Sequence, residues 1–160
     1  MTVLADAHLH LFRQGFTGRY GRGPYGLGQE IEAYEHFRAQ HGIARGLVVG
    51  YEGSGIEPDN NNAIRALAAT RPWMATLAYI AADASPDAAA IDAQLDEGHV
   101  GVALYLQEPA ATEAVLRWPA ESWRRLNARR AIVSLNAFPP ATAALAPLIE
   151  ANSRCRFLFS

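Results

Sequence analysis

Short apolar runs of β-forming residues alternate with helical segments along the whole chain. The runs are TVLADAHLH (2–10), ARGLVVGY (44–51), WMATLAYI (73–80), VGVALYL (100–106), AIVSLNA (131–137) and CRFLFS (155–160). Strands that are apolar on both faces are typical of parallel sheets covered by helices. The segments between them have helical patterns, at 30–42, 60–72, 85–98, 119–130 and 139–153. We therefore predict an α/β fold of parallel βα repeats, forming a single domain over residues 1–160.

Strict βα order fits either a doubly wound sheet or most of a (β/α)8 TIM-like barrel. The fourth run favours the barrel, because Gly101, Ala103 and Tyr105 share one face in a small-to-large order that suits a crowded barrel interior. A complete barrel takes about 250 residues, whereas this chain has 160. We expect the chain to be the N-terminal part of a barrel that is incomplete in this chain. The alternative is a short protein that pairs its open sheet edge with a second copy, as a homo-oligomer.

Composition excludes several classes of function. The 14 basic residues are all arginines spread along the chain, and the net charge is -2, so no basic stripe predicts a nucleic-acid partner. The one cysteine, Cys155, indicates a reducing compartment. No run approaches the ~18 apolar residues that span a membrane, and the start of the chain does not resemble a signal peptide. We expect a cytoplasmic protein that has no membrane partner.

The segment DAHLHLF, residues 6–12, places an acid and two histidines at alternate positions of the first strand. Residues two apart on a strand point the same way, so Asp6, His8 and His10 would share one face. His10 would lie at the carboxyl end, where α/β proteins build their sites. Neutral imidazoles suit zinc and similar divalent metals, and Asp6 could support them from the second shell. The plainer alternative is that two polar residues end a strand by chance.

The chain resembles the amidohydrolase superfamily at this point, specifically its amidohydrolase-related branch with the aminocarboxymuconate-semialdehyde-decarboxylase-like enzymes. The residues that carry the resemblance are DAHLHLF on the first strand, VVGY ending the second, and GVALYL as the fourth. The resemblance implies a (β/α)8 barrel and a divalent metal, usually zinc, held by His8 and His10. It also implies a metal-activated water that attacks a carbonyl or ester carbon.

The chain departs from the pattern of that family in three places, one of which is the histidine that typically follows the family's sixth strand, where the sequence ends at Ser160. The family commonly has a further histidine at the end of its fifth strand, where this chain has Asn136, and asparagine is a poor zinc ligand. The aspartate at the end of the family's eighth strand, which would handle the proton, has no counterpart in this chain. The catalytic residue is therefore left unassigned.

Other polar residues lie near predicted strand ends and could contact a substrate. Tyr105 and Asn136 are the strongest of these, because the carboxyl ends of barrel strands face the pocket. Arg19 and Arg22, in the glycine-rich stretch 13–29, could hold a substrate carboxylate. Solvated loop arginines are an equal alternative. Cys155, at the start of the last strand, is expected to be a core residue.

The sequence therefore predicts a metal-dependent hydrolase that acts on a small-molecule substrate. Hydrolysis of a C–N or C–O bond and non-oxidative decarboxylation both remain open. The alternative from another class is a catalytically silent or metal-free barrel fragment that binds a small ligand.

Overall fold

Parallel strands alternate with helices in the computed structural model, which describes residues 4–13, 27–52 and 58–160. The strands are β1 (Leu4–Leu9), β2 (Ile43–Val49), β3 (Met74–Tyr79), β4 (Gly101–Leu106), β5 (Ile132–Ala137) and β6 (Arg156–Phe159). The helices are α1 (Leu27–His41), α2 (Asn60–Ala68), α3 (Ala88–Asp96), α4 (Pro109–Leu116), α5 (Ala120–Ala128) and α6 (Pro139–Ala151), with a 3-10 turn at Ala82–Ala84. The predicted βα alternation is confirmed.

The chain is arranged as two compact units, Met1–Leu77 and Ala78–Ser160. In the first unit β1 pairs with β2, and β2 with β3, all in parallel. Apolar side chains from the sheet, from α1 and α2 and from the segment after β1 form its core, namely Leu11, Ile31, Val48, Ile64 and Met74. That the two units make up a single domain stays a prediction.

In the second unit β4 pairs with β5, and β5 with β6, again in parallel. Val102, Leu104 and Leu106 are fully buried in a core to which α3, α5 and α6 contribute, and Ala103 on the other face is also buried. This burial on both faces is what the continuous apolar run predicted.

Helix α4 is an element that the sequence patterns did not predict. It has eight residues and begins with Pro109 at a position where a proline fits the first turn. Only Thr112 and Val115 are buried from it. The stretch PAATEAVL has no apolar stripe that would mark the face it buries.

Two glycines end helices in the left-handed backbone region. Gly42 follows α1 with φ +67° and Gly98 follows α3 with φ +113°. A residue with a Cβ is strained at such angles, so glycine lets the chain turn sharply into β2 and β4.

Gly101, the first residue of β4, has no space for a side chain. A Cβ there would overlap the backbone of Ile132 on β5, whose carbonyl carbon would lie at 2.7 Å. We expect Gly101→Ala to lower the free energy of unfolding by about 1–3 kcal/mol, measured by urea denaturation. Gly28→Ala is the control, because a Cβ at Gly28 in α1 meets nothing within 4 Å, and it should leave stability unchanged or raise it by up to about 1 kcal/mol. Equal effects of the two variants would contradict this account of the strand pair.

Candidate metal centre

His8 and His10 lie next to each other at the end of β1. His8 is on the strand and His10 follows directly after its last residue, Leu9. Their Nε2 atoms are 3.0 Å apart and the two rings meet edge to face. The structure therefore brings together the two imidazoles that the alternating pattern placed on one face.

The ring of His10 is oriented by the neighbouring strand. Its Nδ1 lies 2.7 Å from the carbonyl oxygen of Val49, the last residue of β2. A carbonyl can only accept, so Nδ1 carries the proton and the neutral ring keeps a lone pair on Nε2. Phe12 stacks on the same ring at 5.9 Å, with an interplanar angle of 18°. The nitrogen that faces His8 is thus the one free of a proton.

The spacing of the two Nε2 atoms fits a shared ion. Zn–N bonds of about 2.0–2.1 Å in tetrahedral geometry set two ligand nitrogens about 3.3 Å apart. The observed distance of 3.0 Å is close to that value, and it is also the length of a hydrogen bond that the Nε2–H of His8 donates to the unprotonated Nε2 of His10. A backbone carbonyl behind a ligating histidine is also the usual way in which proteins hold such a ring.

Burial favours the neutral, metal-binding form of both histidines. Desolvation lowers the pKa of His8 below 6.5, and the negative charge of Asp6 opposes this in part. Desolvation also lowers the pKa of His10, with the bond to Val49 acting in the opposite direction and repulsion from His8 in the same direction. Near neutral pH both rings are therefore neutral, and each has one ring nitrogen without a proton.

The hydrogen bonds that hold the Asp6 carboxylate come from groups other than the imidazole rings of His8 and His10. One carboxylate oxygen accepts from the backbone N–H of His8 at 3.1 Å, and the other accepts from the hydroxyl of Tyr34 at 3.0 Å. Burial and this hydrogen bond raise the pKa of Tyr34 to about 12. The register between β1 and β2 shifts between Asp6 and Leu9. The hydrogen bond from the His8 N–H to the Asp6 carboxylate lies in this stretch. A second-shell role of Asp6 stays a prediction.

In the described ranges, no cluster of three or more His, Cys, Asp or Glu side chains could hold a metal ion. The histidine pair accordingly provides two ligands. Arg19 and Arg22, predicted to bind a substrate carboxylate, lie outside the described residues.

Tyr105 and Asn136 lie side by side in the second unit. They are register partners on β4 and β5, near the carboxyl ends of these strands. The amide of Gln107 donates to the Asn136 side-chain oxygen at 3.3 Å, and the ring of Tyr79 lies 5.8 Å from that of Tyr105. The group offers two phenols and two amides, all uncharged, which can donate and accept hydrogen bonds. Their predicted contact with substrate stays a prediction.

The sequence did not indicate two residues, Asn60 and Glu30, that bind backbone groups close to the histidine pair. Asn60, fully buried at the start of α2, binds the segments that follow β1 and β2. Glu30 in α1 accepts from the backbone N–H of Phe12 at 2.9 Å. The only signal in the sequence was the Asn-Asn-Asn run at 60–62, which is equally typical of an ordinary helix start.

Cys155 is a buried free thiol and lies in the core, as the sequence predicted. Burial raises the pKa of this thiol to about 11. It therefore stays protonated near neutral pH, which does not suit a nucleophile.

No protein-family model matches the chain, and no curated protein matches it. Solved structures do match it. An amidohydrolase from Burkholderia multivorans with bound zinc has a TM-score of 0.71 and 16% identity, over 99% of this chain and 57% of that one. A probable 2-pyrone-4,6-dicarboxylic acid hydrolase from Acinetobacter baumannii, with citric acid bound, has a TM-score of 0.69 and 18% identity, over 99% of this chain and 58% of that one.

A third match, from Pseudomonas putida, is described as a candidate 2-pyrone-4,6-dicarboxylic acid hydrolase. It has a TM-score of 0.63 and 22% identity, over 98% of this chain and 56% of that one. The chain thus spans little more than half the length of each similar protein. These likenesses confirm the predicted fold class, the first part of a (β/α)8 TIM-like barrel.

None of the helices in the part of the chain that the structure describes is long and apolar enough to cross a membrane.

Both histidines should titrate below pH 6.5, because burial lowers their pKa values. The unfolded chain then takes up protons before the folded protein does. The free energy of unfolding should therefore fall as the pH drops through 6.5 towards the folded pKa values. NMR titration of the imidazole resonances gives the midpoints, and urea denaturation between about pH 7 and pH 5 gives the stability.

A His10→Gln variant lacks one of these groups and should lose part of that pH dependence. A midpoint at or above 6.5 for His10 would contradict the burial argument.

Proposed function

We propose that this chain is part of a metal-dependent hydrolase of the amidohydrolase type, in which His8 and His10 are ligands of a divalent ion, most suitably zinc. The observation that supports this most directly is the oriented pair of Nε2 atoms, 3.0 Å apart, with His10 held through Nδ1 by Val49. The zinc bound in the similar Burkholderia amidohydrolase supports the choice of metal.

When bound, such an ion polarises a carbonyl oxygen and lowers the pKa of a water molecule. The residues of this chain have the tasks of holding and orienting. His10 presents an unprotonated Nε2, because the Val49 carbonyl holds its proton on Nδ1, and the Nε2 of His8 lies 3.0 Å from it. The charge of Asp6 raises the pKa of His8 and so partly offsets the lowering by burial. The base that moves the proton during hydrolysis is left unassigned.

The substrate proposed for this site is a small molecule with a carbonyl group, such as an ester, a lactone or an amide. Tyr105 and Asn136 would orient it by hydrogen bonds, and Arg19 and Arg22 would bind a carboxylate if the substrate has one. Hydrolysis of a C–N or C–O bond and decarboxylation both remain within the proposal. The buried, free thiol of Cys155 supports a reducing compartment, so we place the protein in the cytoplasm.

A second candidate is a silent or metal-free module that binds a small ligand without turnover. The observation in its favour is the absence of a third ligand near the histidine pair among residues 4–13, 27–52 and 58–160. Asn136, where the resemblance expects a histidine, favours it as well. A second copy of the chain or a further segment could supply the ligands that the first candidate needs.

Zinc binding separates the two candidates. We expect the protein to hold about one equivalent of zinc, measured by elemental analysis after dialysis. His8→Ala and His10→Ala should each weaken binding by more than the 10–100-fold that loss of an outer-sphere partner costs. His36→Ala is the matched control, since His36 is exposed on α1. Retention of zinc by His8→Ala would overturn the assignment of the ligands.

Turnover is the second part of the test. The zinc-loaded protein is assayed with small esters, lactones and amides, among them 2-pyrone-4,6-dicarboxylic acid. Hydrolysis that is lost in His8→Ala and kept in His36→Ala supports the enzyme. Ligand binding with no turnover and no zinc supports the binding module instead.

A further inference from the structure

The peptide group between Leu11 and Phe12, directly after His10, is held on both sides by side chains from two helices. The amide nitrogen of Asn60, in α2, donates to the Leu11 carbonyl oxygen at 2.8 Å. The Phe12 N–H of the same peptide group donates to the Glu30 carboxylate, in α1, at 2.9 Å. Leu11 and Phe12 are both buried, so water does not offer these groups an equivalent partner.

The other end of the Asn60 amide reaches the next strand. Its oxygen accepts from the backbone N–H of Tyr51 at 3.1 Å. Tyr51 comes two residues after Val49, whose carbonyl oxygen holds the Nδ1 of His10. One buried amide therefore joins the segment that carries His10 to the segment that carries the acceptor of His10.

Asn60 does not serve as an ordinary helix cap. The residue before it, Asp59, is the N-cap of α2 and makes no side-chain cap bond. The side chain of Asn62, two residues after Asn60, donates to the Asp59 carboxylate at 2.6 Å on the surface. Asn60 is instead fully buried, with its donor and its acceptor directed at the ends of two strands. Only an amide of this length supplies both groups, since aspartate has no donor.

We propose that Asn60 and Glu30 are positioning residues for His10. They hold the backbone on either side of the His10–Val49 contact, so that Nδ1 donates to Val49 and Nε2 faces His8. The part of this inference that concerns zinc affinity rests on the proposed function. The part that concerns the orientation of the ring does not.

The first test uses the metal-free protein and the nitrogen chemical shifts of the His10 ring. In the wild type we expect a neutral ring with its proton on Nδ1. Asn60→Asp keeps the acceptor for Tyr51 and places an oxygen against the Leu11 carbonyl. We expect this variant to show a mixture of Nδ1–H and Nε2–H forms. Asn62→Ala, which alters only the surface bonds of the same helix, should keep the wild-type shifts.

Glu30 gives an independent pair of variants that does not alter a fully buried side chain. Glu30→Ala removes the acceptor for the Phe12 N–H and should also produce the mixed form. Glu30→Gln keeps an oxygen acceptor and should restore the wild-type shifts. A residue with a merely structural role would lower the stability without changing the tautomer. If Asn60→Asp fails to fold, the two Glu30 variants decide whether the hydrogen bond to the Phe12 N–H orients the His10 ring.

The second test is the affinity for zinc alone, measured by competition with a chromophoric chelator. Asn60→Asp and Glu30→Ala should bind zinc about tenfold more weakly, and Glu30→Gln and Asn62→Ala should bind like the wild type. Wild-type His10 shifts in both Asn60→Asp and Glu30→Ala would overturn the inference. If the wild-type protein binds no zinc, the proposed function fails, whereas the tautomer result still decides the positioning roles.

Discussion

The hydrogen bond from the Nδ1 of His10 to the carbonyl oxygen of Val49 is the interaction on which the histidine site depends. It determines which nitrogen carries the proton, and it turns the other towards His8. It exists only because β1 and β2 run parallel and end together, so that the residue after β1 lies beside the last carbonyl of β2. The chemistry of the site is therefore a consequence of strand pairing.

Next to this hydrogen bond, two side chains provide the hydrogen-bond partners of a buried backbone peptide group. The Leu11–Phe12 peptide group lies in the core and would be destabilising without partners, and Asn60 and Glu30 supply both of them. The same burial lowers the pKa of His10 and keeps the ring neutral. Core packing and the neutral state of the His10 ring thus come from one arrangement of residues.

Most of the fold could be predicted from the sequence, and the site only in part. The apolar runs located the six strands found in the described part of the chain, because strands buried on both faces have continuous apolar sequences. Helix α4 was not predicted, because its stretch PAATEAVL has no apolar stripe that would mark the face it buries. The roles of Asn60 and Glu30 could not be predicted, because each binds backbone atoms of residues distant in the sequence, and any residue type provides such atoms.

The sequence by itself determined the parallel βα order, which follows from apolar runs alternating with helical patterns along the chain. It also determined the adjacency of His8 and His10, which follows from their spacing of two residues at the first strand. Only the tertiary structure decided which nitrogen of His10 carries the proton, that Asp6 accepts from Tyr34, and that Asn60 joins the segments that follow β1 and β2. These features depend on contacts between segments far apart in the chain. Their partners are mostly backbone carbonyl and N–H groups, which leave no trace in the order of the residues.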